Sequence, residues 1–175
     1  MNASSSSSQL RGLPRSPWSA LPLALALVLG ASAGTAHADL SKKVIAAFKG
    51  KMLVTEGALS SDADDKTTIA SFKKKTLTTI TGAANGNDVW EWTFNYTAFL
   101  SKSGMSTLKL EFYDGAKYAA DQTLTGVDPK GSVIEGDITI TEDDGLNKGR
   151  KYIIKLVGVV KGKDVTVAQT TVTMQ

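Results

Sequence analysis

The sequence predicts an all-β fold, an antiparallel sandwich of about seven or eight short strands with one short inserted helix, and three observations carry that expectation. Val89 to Leu100, VWEWTFNYTAFL, puts Trp90, Trp92, Phe94, Tyr96, Ala98 and Leu100 at every second position, the period of a strand that buries one face. The same period recurs from Leu77 onward, with turn residues roughly every 8 to 12 positions. Only Ser61 to Lys75 carries helix signals at both ends.

The first segment, residues 1–38, has a polar start with Arg11 and Arg15, an apolar run from Leu21 to Leu29, and the small-residue end Ala36-His37-Ala38. These are the parts of a secretory signal peptide, with cleavage expected before Asp39 and a cut after Ala33 as the alternative. The apolar run is shorter than the roughly 20 residues a spanning helix needs. The arginines are not adjacent and the chain has no cysteine, so neither a twin-arginine signal nor a lipid anchor is indicated. The expected product is residues 39–175, a single soluble domain in the periplasm or outside the cell.

Asp39 to Lys49 is ambiguous: Val44, Ala46 and Phe48 fit a strand, while Asp39 or Ser41 fits a helix cap. The reading adopted is an extended lead-in. Lys51 to Leu59, with Met52, Leu53 and Val54, reads as the first core strand. In Ser61 to Lys75, Ser61 or Asp62 serves as N-cap, Asp64 and Asp65 sit in the first turn and Lys73, Lys74 and Lys75 in the last, each charge opposing the helix dipole. Ile69, Ala70 and Phe72 form its expected inward face. Thr76 to Thr81 is a threonine-rich strand, and Asn85-Gly86 makes a turn because both tolerate positive φ. The aromatic strand then runs from Asp88 to about Ser101, and Gly104 breaks it.

Thr107 to Tyr113 alternates Leu108, Leu110 and Phe112 with Lys109, Glu111 and Tyr113. Tyr118 to Val127 has few large apolar residues and reads as an edge strand, punctuated by Asp128-Pro129. Val133 to Thr141, Lys151 to Val160 and Asp164 to Met174 complete the set. Within it, Leu146-Asn-Lys-Gly-Arg-Lys-Tyr152 resembles the tyrosine corner of fibronectin type III and other immunoglobulin-like domains. The resemblance covers seven residues, with Lys148 and Arg150 where those domains often have Pro and Thr. It implies an immunoglobulin-like arrangement in which the Tyr152 hydroxyl bonds back to upstream backbone. It implies nothing about function.

Composition excludes more than it assigns. The whole chain carries 20 basic and 17 acidic residues, and the leader's two arginines leave 18 against 17, so no nucleic-acid footprint is expected. The one histidine, His37, falls in the leader. Without His or Cys, Ser-His and Cys-His nucleophiles, imidazole bases and the usual zinc and copper ligand sets are all absent from residues 39–175. No cofactor is expected, no catalytic, cofactor-binding or metal residue is assigned, and the chain is read as not an enzyme.

Candidate sites each compete with a plainer role. The Trp90, Trp92, Phe94 and Tyr96 stripe is read as core rather than as a sugar platform. Tyr113 and Tyr118, on solvent-side or edge positions, are better placed to stack a ligand. Asp62, Asp64 and Asp65, and equally Glu142, Asp143 and Asp144, could chelate calcium, but capping and turn roles account for them. A glycosidase needs two facing carboxylates, and nothing pairs Glu56, Glu91, Glu111, Glu135 and Glu142. Lys73, Lys74 and Lys75 match a basic patch as well as a helix end. Asn95-Tyr96-Thr97 matches a glycosylation acceptor lying mid-strand. The functional expectation is an exported interaction or structural module with a protein or polysaccharide partner. Its edge would be Asp164 to Met174, which lacks a Pro or Lys guard. An apolar-ligand carrier and a carboxylate-dependent glycan hydrolase are the alternatives.

Overall fold

The computed structural model describes residues 40–105, 107–128 and 130–175, so the expected signal peptide, Asp39 and Pro129 lie outside the described residues. The described chain is mostly β, in two curled sheets whose pairing is antiparallel except where β2 meets β9. Its elements are α1 (Lys42–Phe48), β1 (Met52–Thr55), α2 (Asp65–Lys75), β2 (Thr79–Ile80), β3 (Ala83–Ala84), β4 (Trp90–Phe99), β5 (Leu108–Asp114), β6 (Lys117–Leu124), β7 (Val133–Thr141), β8 (Lys151–Val160) and β9 (Lys163–Met174). One sheet pairs β4 with β1 and β3 along one side and with β7 along the other. The second has the order β2-β9-β8-β5-β6.

The aromatic strand is central, as its period implies. Trp92, Phe94, Tyr96 and Ala98 are all buried, facing Leu110, Phe112, Tyr152, Ile154 and Leu156 of the other sheet in one core. Each of the larger side chains contributes roughly 1.5 to 3 kcal/mol by leaving water. β4 also buries its opposite face near its end. There Phe99, with Leu53 and Val133, meets Val44, Phe48, Leu59 and Phe72 in a second core beneath the helices.

That second core explains the main departure from expectation. Lys42–Phe48 is a helix, not an extended lead-in, so there are two helices where one was expected. Val44 and Phe48 satisfy a period of two and a spacing of four equally, and the pattern alone does not choose. Burial chooses: the Phe48 ring lies 5.0 Å from Phe99 and 5.9 Å from Phe72. Ser41 caps the helix by accepting from the Val44 N–H at 3.2 Å and donates to Asp65 at 2.6 Å, tying the two helix starts together. In α2 the cap is Asp64, which accepts from Lys66 and Thr67, rather than Ser61 or Asp62. Thr68 and Phe72 form its buried face, Ile69 is half-buried, and Ala70 is exposed.

Three smaller corrections follow from backbone pairing. The expected strand Thr76 to Thr81 shrinks to Thr79–Ile80, because Leu77 has already turned to bond Val54. The turn before β4 places its positive φ on Asp88 (60°) rather than on Asn85 or Gly86, while Asn85 Oδ1 accepts from Asn87 and Val89. Most consequentially, the β9 edge is covered. Val167 accepts from Ser101, Gln169 donates to Gly50, and Thr173 donates to Thr78. Among the described residues, β6 pairs with β5 and β7 with β4.

Candidate functional site

Lys109, Glu111 and Tyr113 lie on the outer face of β5, since Leu108, Leu110 and Phe112 take the inner one. Opposite them on β6, Asp121 pairs with Glu111, and a bulge then shifts the register so that Tyr118, not Ala119, stands opposite Tyr113. Strict alternation from the buried Ala120 would send Tyr118 inward. The bulge re-aims it outward. Lys155 of β8 stands across Glu111 on the other side.

These residues form one connected cluster. Lys109 Nζ lies 2.7 Å from Glu111 and 3.7 Å from Asp164, and the Tyr113 hydroxyl donates to Glu111 at 2.8 Å. The Tyr118 hydroxyl donates to Asp121. The two rings meet edge to face with centroids 5.8 Å apart, and Lys155 Nζ sits 4.0 Å over the Tyr113 ring. Glu111 is nearly buried at 8 % exposure, whereas Tyr118, at 49 %, is the one exposed large apolar side chain among the described residues.

Hydrogen bonds within the cluster favour the protonated forms of Tyr113, Tyr118 and Lys109. The hydrogen bond to Asp121, with a smaller contribution from desolvation, pushes the Tyr118 phenol up to about 12. The bond to Glu111 raises Tyr113 in the same way, and Glu111 also raises Lys109. Both phenols are therefore protonated donors and Lys109 is charged. The surface offers an oriented ring surrounded by carboxylates and ammonium groups. Such a ring carries both an apolar face and a polar tip.

Of the residues singled out in the sequence, Tyr113 and Tyr118 are brought together, and Glu111 joins them. Asp121 and Lys155 were missed, because their place here depends on register and on a bulge that composition does not display. Glu111 and Asp121 face each other across adjacent strands, but each accepts a tyrosine hydroxyl. The remaining candidates do not converge. Asp64 and Asp65 are occupied at helix starts, and Asp144 accepts from the Thr141 N–H and hydroxyl at 2.8 and 2.9 Å. Glu142, Asp143 and Asp144 form a single 3-10 turn closed by Gly145. Lys73, Lys74 and Lys75 are exposed in the last turn of α2. Asn95 donates to the Glu56 carbonyl at 3.1 Å from the middle of β4. At the corner before β8, the Asn147 N–H donates to the Tyr152 hydroxyl at 2.9 Å, with Leu146 and Tyr152 both fully buried.

Comparison with protein-family models, with curated proteins and with solved structures finds no match to this chain.

Proposed function

We propose that the protein is an exported, non-catalytic interaction module, built as a two-sheet sandwich of the immunoglobulin-like type, that binds polysaccharide through the outer face of its five-stranded sheet. The carrying observation is Tyr118: a large ring left half in water, yet fixed by Asp121 and buttressed edge-on by Tyr113. An isolated surface aromatic needs no explanation. One held in place by a carboxylate, beside charged groups able to meet sugar hydroxyls, is suited to stacking on a pyranose. The bond from Asn147 to Tyr152 supports the immunoglobulin-like reading, because it is the contact that the tyrosine corner requires.

Two features favour this reading over the alternatives. Trp92, Phe94, Phe112 and Leu156 fill the space between the sheets that a carrier would keep open for its ligand. The carboxylates Glu111 and Asp121 are committed to tyrosine hydroxyls rather than poised across a cleft, which disfavours hydrolysis. Affinity electrophoresis through gels containing neutral or acidic polysaccharides tests the proposal. Retardation of the wild type in at least one gel, lost in Tyr118→Ala and reduced in Asp121→Asn, is the expected result. Equal mobility of wild type and Tyr118→Ala in every gel would refute it.

A further inference from the structure

Helix α1 buries Val44 and Phe48, yet it carries a second stripe beside that buried face. Lys42, Ile45, Ala46 and the cap residue Lys49 fall at positions i, i+3, i+4 and i+7, which sets them one above another on the same side. Ile45 is half-buried and Ala46 exposed, so the middle of the stripe is apolar and both its ends are cationic. A helical rise of about 1.5 Å per residue sets the two lysine backbones on the order of 10 Å apart.

This stripe forms one wall of a groove of about 390 Å³, the size of a small-molecule site. The facing wall is the segment that follows β4, in which buried Leu100 supplies an apolar part and Ser101, Lys102 and Ser103 a polar one. Backbone pairing fixes the two walls together. The Gly50 N–H donates to the Phe99 carbonyl at 2.7 Å, and a Cβ built on Gly50 would lie 3.8 Å from that of Ser101. Lys49 and Lys102 therefore share the end of the groove with the serines, while Lys42 stands at the other. No carboxylate among the described residues lines it. Within the described chain, Lys42, Lys49 and Lys102 have no ion-pair partner, and the hydroxyls of Ser101 and Ser103 have no hydrogen-bond partner.

We propose that this groove binds an anionic amphiphile, a molecule with one alkyl chain and a small anionic head group. Charge selects the head: three lysines without a carboxylate attract anions, and ammonium and hydroxyl donors converge only at the Lys49 end. The apolar strip selects the chain, which lies over Ile45, Ala46 and Leu100 and runs toward Lys42. Other anions fit less well. No aromatic side chain among the described residues lines the groove, so it offers a sugar no ring to stack on. A patch that holds a lipid surface usually has roughly four to eight basic residues, more than the three lysines here, which favours a single dissolved molecule. The groove lies outside the two sheets and shares no residue with the tyrosine cluster, so it is independent of the polysaccharide surface.

The probe is decyl phosphate, kept below its micellar concentration and titrated into isotope-labelled protein while backbone chemical shifts are followed. Saturable changes centred on α1 and residues 100–103 are expected. Decyl phosphate should bind about four to fifteen times more tightly than octyl phosphate, the gain from two partly or wholly buried methylenes. Decanol and inorganic phosphate, each lacking half of the recognition, should bind about tenfold more weakly or worse. Combining Lys49→Gln with Lys102→Gln should weaken binding about tenfold. Ala46→Glu replaces an exposed residue with a good helix former and sets a carboxylate in the floor, so it should abolish binding while leaving the unfolding midpoint unchanged. Absence of saturable changes at millimolar decyl phosphate, or equal binding by the wild type and Ala46→Glu, would overturn the proposal. Inorganic phosphate binding as tightly as decyl phosphate would overturn it in favour of a simple anion site. Sedimentation with phosphatidylglycerol vesicles, without binding of the dissolved amphiphile, would overturn it in favour of a membrane surface. Tyr118→Ala should bind decyl phosphate as the wild type does, so failure here is distinct from failure at the polysaccharide surface.

Discussion

Three residues carry the sharpest single-residue expectations. Burial, and to a smaller degree the charge of Asp137, pushes the Tyr96 phenol up to about 12 from 10.0. A phenol whose pKa is raised by folding favours the fold while it stays protonated. Its contribution is therefore complete below pH 10 and is lost as the pH climbs toward 12, a change on the order of 2 to 3 kcal/mol. Chemical denaturation across that window should show the fall in the wild type and a smaller one in Tyr96→Phe. At neutral pH the same substitution should stabilise by about 1 kcal/mol, because the buried hydroxyl makes no hydrogen bond with any described residue. Gly82 gives the opposite case: a Cβ there would lie 2.7 Å from both Trp90 Nε1 and Trp92 Cδ1, atoms fixed by bonds from both indoles to the Gln175 main-chain oxygen. Gly82→Ala should cost about 2 kcal/mol, read as a lowered denaturation midpoint with unchanged slope. Tyr152→Phe strands the Asn147 N–H and should cost about 1 to 3 kcal/mol by the same measurement. The last contact was legible in the sequence, since Leu146 and Tyr152 sit six residues apart before an apolar strand. The unpaired hydroxyl of Tyr96 was not, because it arises from the register that sets Gly136 opposite.

Among the elements, β7 and β8 match their sequence-derived bounds, and β4, β5 and β9 differ from theirs by a residue or two. Alternation over seven or more residues is a strong local signal that tertiary structure has no cause to override. Short elements were less legible. α1 spans 7 residues, too few for the helical period to outweigh the strand period in the same letters, and it exists because Phe48 completes a buried trio with Phe72 and Phe99. Isolated helices of this length are not stable in water. Phe72→Ala should therefore cost about 3 to 5 kcal/mol and loosen both helices together, visible as faster amide exchange in Lys42–Phe48 as well as in Asp65–Lys75. Ser41→Ala should cost about 1 kcal/mol and act mainly on α1. The candidate surface was half legible for a related reason: alternation placed Tyr113 outward, but the bulge at Ala119 decided that Tyr118 would meet it.

At the scale of the whole molecule, the two sheets are joined along the side of β9. Residues 50, 51 and 101 and strand β2 line the β9 side. The sequence marked β6 as an edge by its scarcity of large apolar residues, yet placed an open edge at β9, because the segments that cover β9 come from far upstream. No helix among the described residues is long and apolar enough to cross a membrane. The surface proposed to bind polysaccharide is the outer sheet face that carries the tyrosine cluster. The polysaccharide surface is the central claim, and a titration of isotope-labelled protein with an oligosaccharide cut from whichever polymer retards it tests that claim most directly. The account predicts chemical-shift changes concentrated at Tyr113, Tyr118, Asp121 and Lys155, saturable and absent in Tyr118→Ala. Changes centred on β4 core residues, or a titration in which Tyr118→Ala behaves as the wild type does, would contradict it.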